Sequence, residues 1–316
     1  MKQLSKILLA LLLLALPVGM SAQIYELRPP KRTVTKPVKK TKKKKPASKK
    51  EEAEELTPEE MYAKGYDFYQ AKDYSQAIEW LRKAADKGHE DAQYGIGFFN
   101  AKGLGVQQDY NQAVYWYRKA AEQGNAKAQN NLGSCYYNNR GVQQDYSQAV
   151  YWYRKAAEQG SAVAQNNLGG CYYNGQGVQQ DYNQAVYWYR KAAEQENPKA
   201  QCYLGVCYEN GKGVQQDDSQ AVYWYKKAAE QGNAQAQNNL GVCYEKGKGI
   251  QQDYSQAVYW HRKAAEQGNA IAQNNLGCCY YNGQGVEKDV PTARYWWQKA
   301  ADQGNENAKQ NLQNCH

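Results

Sequence analysis

The sequence predicts an all-α fold, a solenoid of antiparallel helix pairs, and three observations carry that reading. A 36-residue block repeats six times without a gap, over 89–124, 125–160, 161–196, 197–232, 233–268 and 269–304, with Trp116, Trp152, Trp188, Trp224, Trp260 and Trp296 keeping its phase. A fixed period in this range marks stacked supersecondary units. Each block holds two apolar stripes at helical spacing, and glycine and cap residues punctuate them at constant offsets.

Block 125–160 shows why each element forms. Ala128, Leu132, Cys135 and Tyr136 fall at i, i+4, i+7 and i+8, one face of a first helix. Gly133 on that helix is small enough for a neighbouring helix to approach closely. The loop that follows opens with Asn139, where the other blocks have Gly103, Gly175, Gly211, Gly247 and Gly283. Glycine, then asparagine, is the usual order for a left-handed residue ending a helix. Asp145 stands where an N-cap is needed, with Gln148 three residues on, as in a capping box. Ala149, Trp152, Tyr153, Ala156 and Ala157 form the apolar face of the second helix. Gly160 ends that helix and Asn125 caps the first.

These residues carry a family resemblance. The pattern LG-x-x-Y-x-x-G-x-G-V, then D-x-x-x-A, then W-Y-x-K-A-A-x-x-G resembles the Sel1-like repeat, a relative of the tetratricopeptide repeat. It covers 89–304, and in weaker form 61–88 and 305–316. The resemblance implies a right-handed superhelix of antiparallel helix pairs and an adaptor role in protein–protein contacts, with no shared chemistry and no cofactor.

The N-terminal part is different material. Residues 1–22 read as a secretory signal peptide: Lys2 and Lys6, an apolar run from Ile7 to Leu16, and Met20-Ser21-Ala22 before Gln23. The run is shorter than the roughly 20 residues a bilayer span needs. The expected location is therefore periplasmic or secreted. Residues 23–56 read as a basic, disordered tail and linker. Positions 24–50 hold twelve basic residues against Glu26, with four prolines and few large apolar side chains. The net charge of +9 resides in this end of the chain: without positions 1–50, 26 basic and 30 acidic residues remain, a net of −4. A basic tail in the cytosol would point to nucleic acid. Behind an export signal, the Lys39–Lys50 region points instead to an anionic envelope component, or serves as a spacer. Residues 57–88 read as a shortened tetratricopeptide-like unit, since Gly65 and Tyr74 lie nine apart where Gly97 and Tyr110 lie thirteen apart. Residues 305–316 read as a polar capping helix with Ala308, Leu312 and Cys315 in phase. At one junction Glu196 replaces the terminal glycine and Pro198 follows, which strains Glu196 if the left-handed ending persists.

No catalytic or metal constellation emerges. His89, His261 and His316 lack metal-ligand spacing and are expected at the surface. Cys135, Cys171, Cys207, Cys243, Cys279 and Cys315 lie 36 apart on equivalent helix faces. Neighbouring copies should then be separated by a helix-to-helix spacing of roughly 8–10 Å, beyond the disulfide limit of about 7 Å. They read as small buried hydrophobes. Cys202 and Cys278 are out of phase, and Cys278 with Cys243 or Cys315 stays open as a pair. In cysteine-rich members of the resembled family, a second-helix cysteine pairs with one on the next first helix; here the second helices end KAAEQG. Some such relatives carry a β-lactamase label, but no serine here has a lysine three residues on.

The function this supports is a non-enzymatic protein- or peptide-binding scaffold of the bacterial cell envelope. The alternatives are an envelope-attached structural protein acting through its basic tail, and a cell-wall or β-lactam hydrolase by analogy. In tetratricopeptide-like stacks the first helix lines the concave surface. Positions resembling that surface are Lys127, Asn130, Ser134, Tyr137 and Asn138, then Asn166, Tyr173 and Asn174, and further Asn238, Asn274, Tyr281 and Asn282. They form a ladder of amides beside a set of tyrosines, suited to an extended, largely uncharged peptide or glycan-like chain. The rival surface is Tyr115, Tyr151, Tyr187, Tyr223, Tyr259 and Tyr295 on the second helices. Duplication alone could have copied both sets, as it copied Gln143-Gln144.

Overall fold

In the computed structural model of the protein, residues 27–30 and 55–315 are described. The signal peptide, most of the basic tail and His316 lie outside them. Fifteen α-helices and no strand occur among the described residues. They are α1 (Pro58–Gln70), α2 (Tyr74–Asp86), α3 (Glu90–Lys102), α4 (Tyr110–Glu122), α5 (Ala126–Tyr137), α6 (Tyr146–Glu158), α7 (Ala162–Asn174), α8 (Tyr182–Glu194), α9 (Pro198–Asn210), α10 (Asp218–Glu230), α11 (Ala234–Lys246), α12 (Tyr254–Glu266), α13 (Ala270–Asn282), α14 (Val290–Asp302) and α15 (Glu306–Asn314). The chain divides into two compact units, Met1–Gln159 and Gly160–His316. Within the first, α1 to α6 pack on one another in chain order; within the second, α7 to α15 do so.

The helix ends follow the caps. Asp145 accepts from the Gln148 amide, Asn125 from that of Ala128, and Thr57 with Glu60 makes a complete capping box at α1. The left-handed ending occurs at Gly103, Gly175, Gly211, Gly247 and Gly283, and at Asn139 with φ +56°. Glu196 takes φ +60°, where Gly160 and Gly232 have +91° and +86°. Pro198 occupies the first turn of α9.

Glutamine clips join the pairs. Gln237 is buried; its Nε2 donates to the Ala229 carbonyl of the preceding second helix (3.0 Å), and its Oε1 accepts from Gln267 (2.7 Å). The same clip recurs at Gln93, Gln129, Gln201 and Gln273. Each clip satisfies a buried amide while fixing the spacing of three helices. A second glutamine acts within its own repeat. Gln144 Nε2 donates to the Tyr137 carbonyl (2.9 Å), and Gln180, Gln216 and Gln252 do likewise in the repeats that follow. Gln144 is therefore more than a passenger of duplication; it satisfies a carbonyl left over at the end of the first helix.

The core is a row of small and aromatic side chains. Tyr153 is fully buried against Gly133, where a Cβ would lie 2.8 Å from its ring. Tyr117, Tyr189 and Tyr225 hold the same place in their repeats, then His261 and Trp297. This corrects the surface reading of histidine: His261 is fully buried because it occupies the core tyrosine's site. His89 is also no simple surface residue, since it caps α3 and stacks on Tyr62 with ring centroids 4.6 Å apart.

Candidate functional site

The first-helix positions divide by burial. Asn130, Asn166, Asn238 and Asn274 are all buried. Their register explains this in part: Asn275 Nδ2 donates to Asn238 Oδ1, and Asn311 Nδ2 to Asn274 Oδ1, both at 3.0 Å. The amides at these two stations bond one repeat to the next, which corrects the expectation of amides open to a ligand. The ladder breaks where a tyrosine intrudes. Tyr203 stands one repeat on from Asn167, where an asparagine would face Asn166, and Asn166 Oδ1 has no hydrogen-bond partner. Tyr94 stands one repeat before Asn130, where an acceptor would face Asn131, and Asn131 Nδ2 has none.

Ser134 is buried and accepts from the Tyr153 hydroxyl at 3.1 Å. Lys127, Tyr137, Asn138, Tyr173 and Tyr281 are partly buried, whereas Asn174 and Asn282 are exposed. The three tyrosines pack against the second helix of their own pair: Tyr137 on Tyr146 (5.0 Å between centroids), Tyr173 on Tyr182 (5.2 Å) and Tyr281 on Trp297 (5.3 Å). They present rigid, half-open edges.

A short segment without helix or strand, residues 27–30, lies against this same face in the first unit, and its Arg28-Pro29-Pro30 steps favour extended backbone. Leu27 is buried in one cluster with Tyr62, Leu81 and Ile96. The Tyr62 hydroxyl donates to the Arg28 carbonyl. Counting back from Gly65 and Gly133, Tyr62 holds the place that Asn130 holds in its block. Sequence reading placed residues 23–56 in the tail and missed this contact. The signal was there in Leu27, which closes the short apolar run Ile24, Tyr25 and Leu27 just before Pro29 and Pro30.

The second-helix tyrosines form a different surface. Tyr115, Tyr151, Tyr187, Tyr223, Tyr259 and Tyr295 are 47% to 52% exposed and, with Ile271, are the exposed large apolar side chains among the described residues. Each ring meets the following tryptophan edge-on, with centroids 4.9–5.2 Å apart. Each also carries a lysine one turn on, Lys119 to Lys299, with Nζ 4.7–5.2 Å from the ring centroid.

All eight cysteines are free thiols. Cys278 and Cys315 line one pocket with Asn311 and Trp297 but are not bonded, and Asn311 Nδ2 approaches Cys278 Sγ at 3.5 Å. Burial pushes the thiols of Cys135, Cys171, Cys207, Cys243 and Cys279 up to about 12. Such thiols are poor nucleophiles and poor metal ligands. Among the described residues no group of three or more His, Cys, Asp and Glu side chains is placed to hold a metal ion, and no helix is long and apolar enough to cross a membrane.

Comparison with known proteins follows the same pattern. The chain is similar to the crystal structure of c5321, a protective antigen present in uropathogenic Escherichia coli strains displaying an SLR fold, with 40% identity and a TM-score of 0.72 over 81% of this chain and 56% of that one. It thus spans little over half the length of that antigen. It is equally similar to the crystal structure of a Sel1 repeat protein from Oxalobacter formigenes, with 40% identity and a TM-score of 0.72 over 76% of this chain and 96% of that one. No curated protein sequence matches. The Sel1 repeat family model matches seven consecutive segments, 60–89, 90–125, 126–161, 162–197, 198–233, 234–269 and 270–305. With an all-helical solenoid of consecutive helix pairs and seven matched repeats, the chain belongs to the Sel1 repeat family.

Proposed function

We propose that this protein is a non-enzymatic scaffold of the bacterial cell envelope, periplasmic or secreted, that holds protein or peptide partners in extended form along its first helices. One observation carries the reading: that face already bears a short non-helical stretch of chain, with a backbone carbonyl bonded by Tyr62 and its leucine buried. Extended peptides need donors and acceptors for their backbone and pockets for alternate side chains. Tyr137 in the first unit, and Tyr173 and Tyr281 in the second, supply contact area at the equivalent first-helix position of their repeats.

The test is a partner captured by the exported protein, with its affinity then measured against paired alanine variants. Alanine at Tyr137 and Tyr173 weakens binding at least roughly tenfold with folding intact, as expected for two anchors of about 1–2 kcal/mol each. If alanine at Tyr151 and Tyr187 does so instead, the docking surface is the exposed tyrosine–lysine comb. That second reading draws on the comb's exposure, the feature a folded protein keeps open only at modest extent without a role.

A further inference from the structure

The first full repeat departs from its neighbours at one position that bears directly on the extended segment. Gly95 on α3 stands where later repeats carry Asn131, Asn167, Asn239 and Asn275, and one carries Tyr203, at multiples of 36 residues. A Cβ there would lie 3.0 Å from Leu27 Cδ2 and 3.4 Å from Leu81 Cδ1. The missing side chain therefore leaves a notch, and Leu27 fills it, only 4% exposed. The floor of the notch is apolar, built by Leu81 and its cluster. Its wall is Tyr62, which donates to the backbone carbonyl that follows the leucine. Pro29 and Pro30 come next. A proline pair favours the extended polyproline conformation and brings no backbone N–H that must be satisfied, so little freedom is lost on docking.

We propose that this notch is a docking site for an extended peptide in which a leucine stands two residues before a proline pair, and that the chain's own Leu27–Pro30 segment occupies it in cis as a competitor. The proposal rests on the first-helix docking reading and adds to it the chemistry of the partner and a resident occupant. A segment tethered to its own site competes at an effective concentration on the order of millimolar. An outside peptide of the same kind must displace it, so its apparent affinity is set by how firmly the segment is seated.

The experiment uses the full chain and a fluorescein-labelled peptide of residues 23–34, followed by anisotropy. The Leu27→Asp chain, whose own segment no longer fits, should bind the peptide at least about tenfold more tightly than the parent chain. Adding Gly95→Asn, which introduces the residue of the next repeat and is checked for unchanged folding by circular dichroism, should abolish that gain. Tyr62→Phe on the Leu27→Asp background should reduce it. A peptide carrying aspartate for its leucine keeps most of the basic charge and should not bind. The cis site is overturned if the folded Leu27→Asp chain binds no better than the parent, or if Gly95→Asn leaves its binding unchanged. Dimerisation of the parent chain on concentration, lost with Leu27→Asp in sedimentation, would place the segment in a second copy's notch and overturn the cis assignment. If the peptide fails on every chain while partners still dock through Tyr137 and Tyr173, the notch falls and the scaffold reading stands; if both fail, both fall.

Discussion

Replacing His261 with tyrosine should stabilise the protein. His261 sits in the core site that Tyr225 holds one repeat earlier, packed over Gly241 as Tyr225 packs over Gly205. The Tyr225 hydroxyl donates to Glu209 at 2.7 Å. In the next repeat Glu245 stands in the place of Glu209, and His261 Nε2 lies 3.6 Å from it, too long for a hydrogen bond. Neither ring nitrogen of His261 makes a hydrogen bond of normal length; Nδ1 has no partner, and Nε2 has only the long contact to Glu245, whose carboxyl the histidine holds below its usual range. A buried polar atom left unsatisfied costs about 1–3 kcal/mol. His261→Tyr removes both, restores the hydroxyl–carboxylate bond and adds apolar contact, for a net gain of about 1–2 kcal/mol after some loss to repacking. The melting temperature should rise by ~2–6 °C. Because repeat arrays open locally, hydrogen exchange in α11 and α12 should slow more than in α1 to α4. An unchanged or lower melting temperature, with exchange in α11 and α12 no slower, would refute the claim that the histidine is an unsatisfied substitute for tyrosine.

Glu196→Gly should stabilise by about 0.5–1 kcal/mol, since it relieves a left-handed non-glycine residue and loses some of that gain to unfolded-chain entropy; urea denaturation of the two chains checks it. The buried thiols titrate near 12 when folded and near 9 when the chain is unfolded, so between these values the unfolded chain has lost protons that the folded chain keeps. Stability should therefore be full below about pH 9 and fall as pH rises from there, and a melting temperature flat to about pH 10.5 would contradict this. Reductant should change little at neutral pH, and peptide mapping under non-reducing conditions should find free thiols. The basic segment should bind anionic vesicles in a salt-sensitive way, and residues 51–316, with a net charge of −4, should lose that binding; equal binding by both would make the tail a spacer.

The helix pairs were legible because the repeat states the same facts six times. Asp145, Gly103 and Gly133 each have one physical role, and that role shows in the residue type. The amide ladder was half legible. Sequence placed Asn130, Asn166, Asn238 and Asn274 at one repeated first-helix position, but did not show that the next asparagine, 37 residues on, reaches back to Asn238 and Asn274. That geometry depends on the offset between stacked helices, which no single block contains. His261 was misplaced because histidine's polarity suggests the surface, whereas its register with Tyr153 and Tyr225 decides its site. Leu27 was missed for the opposite reason. It sits in a segment whose composition cannot bury a core of its own, and only Gly95, far along the chain, gives it a place.

The most direct test of the central claim is the environment of Leu27 in the full chain, observed by NMR with methyl labelling of leucine. The account predicts a ring-shifted Leu27 methyl signal with a cross-peak to the Gly95 α-protons, and its return toward random-coil values in the Gly95→Asn chain. A Leu27 methyl already at random-coil values in the parent chain, with no contact to Gly95, would contradict the first-helix face as a seat for extended peptide.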